Sequence, residues 1–215
     1  MPAEAAKALQ KEPSTGGPDR LRCASPGGDG GDGSAPAPFM ADPYRFGLWA
    51  FLGTVSMLFI GFSSAYVVRR ASPDWRPLDP PLLLWLNTAA LLASSAAVEA
   101  ARRRLKDWDL AAARAWLGAG GLLGVAFVAG QLGAWRVLRS QGIFLASNPH
   151  SSFFFILTGL HVVHLGGGLV WFAVVLTRLV RVSHPPGEEG LALFATYWHF
   201  LGALWLYLAL LLFVF

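Results

Sequence analysis

The stretch GLALFATYWHFLGALWLYLALLLFVF, Gly190 to Phe215, contains no Asp, Glu, Lys or Arg. An α-helix rises about 1.5 Å per residue, so ~20 apolar residues cross a hydrocarbon core of ~30 Å. The stretch is therefore predicted to span a membrane. The same gap in charge recurs toward the N-terminus: between Arg139 and Arg178, Arg114 and Arg136, Asp79 and Glu99, and Arg45 and Arg69. The Arg139–Arg178 gap exceeds one span, and Asn148, Pro149 and His150 divide it into a loop and one helix. Five spans follow, near residues 46–68, 81–101, 112–135, 151–177 and 190–214.

Composition agrees. The chain is 54% hydrophobic and 14% charged, against roughly 25% charged in soluble domains. A soluble five-helix core would need amphipathic helices around it, and the chain has no strongly polar-faced helix. The fold class is all-α, an integral membrane five-helix bundle. The loops are short, so function lies in the bilayer or at a partner's surface. Trp75, Trp85, Trp108, Trp116, Trp135, Tyr44, Tyr197 and Trp198 fall near the expected interfaces, where amphipathic rings anchor helices.

The net charge of +4 sits at span ends and gives no nucleic-acid signal. Arg45, Arg102, Arg103, Arg104, Lys106, Arg114, Arg178 and Arg181 lie on one side, and Arg69, Arg70, Arg76, Arg136 and Arg139 on the other. That bias of eight against five predicts the N-terminus in the cytoplasm and the C-terminus outside. The single cysteine, Cys23, has no internal partner for a disulfide.

Residues 1–39 differ in kind. The run SPGGDGGDGSAPAP at 25–38 has little to bury and is expected to be disordered. It has no apolar core of a signal peptide. Composition changes at Phe39 and Met40, so either the tail is native or Met40 is the true start.

Polar groups inside the spans carry the functional question, because each is costly in hydrocarbon. Asn87, Ser94 and Ser95 lie in span two, Gln131 in span three, His161 and His164 in span four, and His199 in span five. His161 and His164 share one helix face. Two readings of them stand. They are neutral imidazoles bonded to neighbouring helices, or one of them pairs with His199 across a heme. A metal site wants three or four ligands, and no acidic residue is expected mid-membrane to complete one. Gly120 and Gly124 form a GxxxG pair, and Gly166, Gly167 and Gly168 follow His164; small residues let helices approach closely in lipid. There is no GxxxxGK[ST] loop, HExxH, CxxC or nucleophile elbow. A solute channel is disfavoured by the lack of polar stripes.

These residues resemble a family in order and spacing: subunit III of the heme-copper respiratory oxidases, in its short five-helix bacterial form. The resemblance covers residues 44–215. It starts with GLWAFL at 47–52 and MLF at 57–59, then Ala65, Tyr66 and Arg69. Leu86, Asn87, Thr88 and the LLASS at 91–95 are similar to LNTxxLLxSS. Phe127 and Gln131 follow in span three. FFFILTGLHVVH at 153–164, then Gly168, resembles FFxLTGxHxxHVxxG, the most specific segment. YWHF at 197–200 and then Trp205 is similar to YWHFxxxxW. Three usually acidic positions are neutral here: Val55, Ala134 and Gly202. His161 and His164 thus lose an acceptor and are expected neutral, and proton handling by a buried glutamate does not carry over.

The resemblance implies a non-catalytic subunit of a cytochrome c oxidase-type complex. Residues 40–215 would be its domain, with no catalytic residue, no metal and no redox cofactor on this chain. Heme and copper would sit in the partner, subunit I. Other oxidase subunits and membrane phospholipids would be further partners, in the bacterial inner membrane. The subunit's role would be assembly, lipid binding and durability of proton pumping in aerobic electron transport. A subunit III-like partner of a quinol oxidase or nitric oxide reductase is the alternative. Two arms, spans one and two against spans three to five, would form a V-shaped cleft. Trp49 and Tyr66 would line it. Arg69 and Arg70 would either pair with lipid phosphates, which match the guanidinium fork, or anchor at the interface. Trp49, Tyr66, Arg69, Asn87, Gln131, His161, His164, Trp198 and His199 are the candidate lipid-binding or structural polar residues.

Overall fold

The computed structural model describes residues 43–73, 75, 82–181 and 188–213. The segment 1–39, Cys23, Met40 and Arg76 lie outside the described residues. Five helices follow in order: α1 Pro43–Arg70, α2 Leu82–Lys106, α3 Leu110–Ser140, α4 Pro149–Arg181 and α5 Glu188–Phe213. All five are long and apolar enough to cross a membrane. Each overruns its charge-free gap. Arg69 and Arg70 end α1, and Arg103, Arg104 and Lys106 end α2, where cations favour the carbonyl end of the helix dipole.

Local chemistry sets the helix ends. The α2 backbone closes in a Schellman motif: the Asp109 N–H donates to Arg104 O and the Trp108 N–H to Leu105 O. Trp108 takes the left-handed position, with φ of 61°, where glycine is the usual occupant. Asp109 then caps α3 by accepting from the Ala112 N–H at 3.0 Å. The end of α3 repeats the motif with Gly142 at φ 79°. At the start of α4, Asn148 and Ser151 cap reciprocally. The Ser151 N–H donates to Asn148 Oδ1 at 3.0 Å, and the Asn148 N–H to Ser151 Oγ at 3.2 Å. Pro149 fits the first helical position, where no N–H partner is needed.

Helices α2, α3, α4 and α5 close into a ring: α2 packs on α3, α3 on α4, α4 on α5, and α5 back on α2. Helix α1 lies outside that ring, against α4 and α5. Its buried stripe is Leu48, Leu52, Val55, Phe59, Ser63 and Tyr66, one face of the helix. Among the described residues α1 makes no close contact with α2. The five-helix bundle is as predicted. The expected arm of spans one and two is not, because α2 is committed on both flanks to α3 and α5.

Small residues permit the close approaches. A Cβ on Gly124 would lie 2.9 Å from Trp198, and one on Gly121 would lie 2.5 Å from Phe172. Gly168 is similarly close to Tyr197, Trp198 and Leu201, but Gly166 and Gly167 have open space beside them. Of the three consecutive glycines, then, only Gly168 serves packing.

Candidate functional site

The ring's interior is held by three indole-to-hydroxyl bonds between helices. Trp198 Nε1 donates to Ser94 Oγ at 3.1 Å, and Ser94 Oγ donates on to Gly120 O at 2.7 Å. Trp205 Nε1 donates to Thr88 Oγ1 at 2.9 Å, whose own proton goes to Leu84 O. Trp135 Nε1 donates to Thr158 Oγ1 at 3.2 Å, and Thr158 donates to Phe154 O. A hydroxyl has one proton and two lone pairs. In each case the proton goes to a backbone carbonyl and a lone pair takes the indole. Interhelical bonds of this kind are each worth about 0.6 kcal/mol on average and up to about 1.7.

Trp198 is fully buried and Tyr197 nearly so. They are interior residues, which corrects their expected place at the interface. Tyr197 crosses to α4, its hydroxyl donating to His164 O at 2.9 Å. By contrast Tyr44, Trp85, Trp108 and Trp116 are exposed. Position along a span had suggested anchors; the helix face decides which rings turn inward.

Asn87, Gln131 and His161 are buried together in the ring. The Asn87 amide lies on the α3 backbone beside Gln131, close enough that a Cβ on Gly130 would sit 2.0 Å from its Oδ1. His161 packs edge-on against Phe127, centroids 5.9 Å apart, and beside Trp205 at 5.2 Å. Phe127 is one turn before Gln131 on α3, and Trp205 is bonded next to Asn87 on α2, so all three amide and imidazole groups share one level.

The other two histidines point elsewhere. His164 faces α1, with its ring 5.9 Å from Phe59 and 6.4 Å from Phe51. Its Nδ1–H donates to Leu160 O at 2.7 Å; the carbonyl only accepts, which fixes the tautomer. His199 Nε2 lies 3.8 Å from Glu99 Oε2. Glu99 also pairs with Arg102 and Arg103, each at 3.3 Å. Glu99, the charge that closes the second charge-free gap, lies within α2 because the helix runs on to Lys106. His199 stands six residues along α5 from Trp205, or ~9 Å of helix, and His161 is on Trp205. The facing-imidazole geometry of a bis-His heme is not built. Among the described residues no three His, Cys, Asp or Glu side chains converge to hold a metal ion.

The remaining candidates sit at the two ends. Tyr66 is 2% exposed and packs on Trp75, His150 and Phe153. It knits α1 to α4 and lines no open cleft. His150 Nε2 donates to Leu212 O at 3.2 Å, tying α4 to α5. Beside this cluster an open pocket of about 860 Å³ is lined by Val68, Arg69, Ser147, Asn148, Ser152 and Phe153, among others. Arg69 donates to Ser72 Oγ at 2.6 Å there. At the opposite end Trp49 is half exposed and shares a pocket of about 220 Å³ with Arg45, Arg102 and Thr196. The three neutral positions fall in contact regions: Val55 and Ala134 are buried, and a Cβ on Gly202 would lie 3.1 Å from Ser95 Oγ.

A family model described as Cytochrome c oxidase subunit III matches residues 34–215. Cytochrome c oxidase subunit 3 of Synechocystis sp. is 30% identical over 180 residues, covering 80% of this chain and 76% of that one. The probable cytochrome c oxidase subunit 3 of Nocardia farcinica is 33% identical, covering 73% and 80% respectively. Cytochrome bo(3) ubiquinol oxidase subunit 3 of Pseudomonas aeruginosa is 28% identical, covering 75% and 79%. With the match spanning all five helices and the polar interior they enclose, this multi-pass membrane chain belongs to the cytochrome c oxidase subunit III family.

Proposed function

We propose that the chain is a scaffold subunit of a respiratory heme-copper oxidase, supporting assembly and sustained turnover of a heme- and copper-bearing subunit I. The observation that carries this reading is the use made of interior polar groups. Ser94, Thr88 and Thr158 each take an indole from a neighbouring helix and fix the ring. Such chemistry holds helices in register. The exposed side of α1, with Met57, Ile60 and Val68, offers an apolar surface for lipid or a partner subunit.

Phospholipid is the ligand we assign to the two end pockets. Each combines apolar walls with arginine: Phe153 and Val68 with Arg69 at one end, Leu48 and Trp49 with Arg45 and Arg102 at the other. Arginine forks match phosphate oxygens. The basic excess on the Arg102–Arg104 side supports an N-terminus in the cytoplasm of a bacterial inner membrane.

The test is purification of the tagged full chain from native membranes. A large subunit carrying heme and copper is expected to come with it; its absence from a stable preparation overturns the assignment. The likeness to a ubiquinol oxidase subunit supports a second reading, in which the complex oxidises quinol. Supplying the purified complex with reduced cytochrome c or with quinol separates the two.

A further inference from the structure

Five fully enclosed side-chain atoms have no hydrogen-bond partner: Asn87 Nδ2, Gln131 Nε2 and Oε1, and both ring nitrogens of His161. They belong to the three residues that share one level of the ring. Buried polar groups almost always find partners, and in hydrocarbon the demand is stricter. Orphans on three different helices, gathered at one level, therefore point to a ligand between them rather than to three separate faults.

The donor set defines the ligand's chemistry. Asn87 and Gln131 present N–H groups, Gln131 Oε1 presents lone pairs, and a neutral imidazole presents one of each. A cation would want acceptors only, and an anion donors only. A mixed and neutral set fits a small molecule that both donates and accepts. Water does this, and two to four polar partners are what an internal water requires.

The walls fit as well. The Trp205–Thr88 bond closes one side, and the Trp135–Thr158 bond closes the other, one turn from Gln131 on α3 and one turn from His161 on α4. Between them the Asn87 amide lies against Gly130 of α3, and Ala134 adds only a methyl. We infer that Asn87, Gln131 and His161 form a buried hydration site, in which ordered water joins α2, α3 and α4 at the middle of the ring.

The site is read directly in the unaltered protein. In a high-resolution map of the complex that co-purifies with the full chain, ordered water is expected within hydrogen-bond distance of Gln131 and His161. A map that resolves other internal waters but leaves these side chains dry overturns the inference. So does one in which the three side chains bond directly to each other. Thermal stability of the same complex gives an independent sign. In a dry interior His161→Phe removes two orphans and raises the midpoint. At a hydration site it strips the water of partners and lowers the midpoint. His161→Gln, which keeps a donor and an acceptor, should stay closer to the parent than His161→Phe; the reverse order overturns the proposal. None of these readings depends on which electron donor, or which complex, the chain serves.

Discussion

Helix α1 and the ring of α2 to α5 are built from similar residues and held by different means. Thr54, Ser56 and Ser63 in α1 each donate to the carbonyl four residues back. Thr88 and Thr158 in the ring do the same. The difference is an indole. In the ring a tryptophan from another helix fills the hydroxyl's lone pair; on α1 nothing of the kind does, and packing rests on the apolar stripe from Leu48 to Tyr66. The donor side of Thr88, Thr158 and the three α1 hydroxyls is thus satisfied by their own helix, while Ser94 donates across to Gly120 O on α3. For Thr88 and Thr158 it is the acceptor side that ties two helices together.

This contrast is open to attack. The largest effect is expected from His161→Ala, which empties a fully buried position between Phe127 and Trp205. Large-to-small changes at such sites cost about 3 kcal/mol. Turnovers before inactivation and the yield of assembled complex should fall, with the initial rate nearly kept. If rate, endurance and yield all stay at parent values, the ring is not the stabilising element. Next comes Gly124→Val, whose Cβ would meet Trp198. Overpacking costs about 1–3 kcal/mol, read as a lower midpoint of thermal unfolding. The α1 counterpart Gly61→Val has open space beside it and should leave that midpoint alone; equal losses would erase the distinction.

Ser94→Ala removes the acceptor for Trp198 and a donor to Gly120, and should cost about 1–2 kcal/mol. Ser63→Ala in α1 should cost no more than a few tenths, since only a bond within its own helix is lost. The same thermal assay ranks the pair, and an inverted ranking would defeat the indole argument. Smallest is Glu99→Gln. Its partner Arg103 is largely exposed and His199 is 40% so, and exposed pairs contribute under about 1 kcal/mol. A shift beyond that would mean the Glu99 cluster anchors α2 to α5 as firmly as the interior does.

Much of this was legible in the order of residues. Charge gaps located all five helices, because a hydrocarbon layer excludes charge along a whole span. They understated the helix lengths, because the arginines at the ends remain helical beyond that layer. The costly interior groups Asn87, Gln131 and His161 were also visible as polar residues in apolar runs. Which helix each one meets was not. The resemblance implied an arm of α1 and α2, yet α1 packs on α4 and α5. Trp198 was placed at the interface from its distance to the span's end. The better signal lay across two helices: Trp198 and Trp205, seven apart on α5, match Ser94 and Thr88, six apart on antiparallel α2.

The position of α1 has a consequence for how the chain is made. A ribosome delivers α1 before the other four described helices, yet its packing partners α4 and α5 come last among them. While α2 and α3 meet as soon as both are inserted, joined by the turn at Trp108, α1 waits in lipid with no neighbour from its own chain. The Thr54, Ser56 and Ser63 hydroxyls are already bonded to its own backbone while it waits. Of the five described helices, the first translated is therefore the last that can be seated.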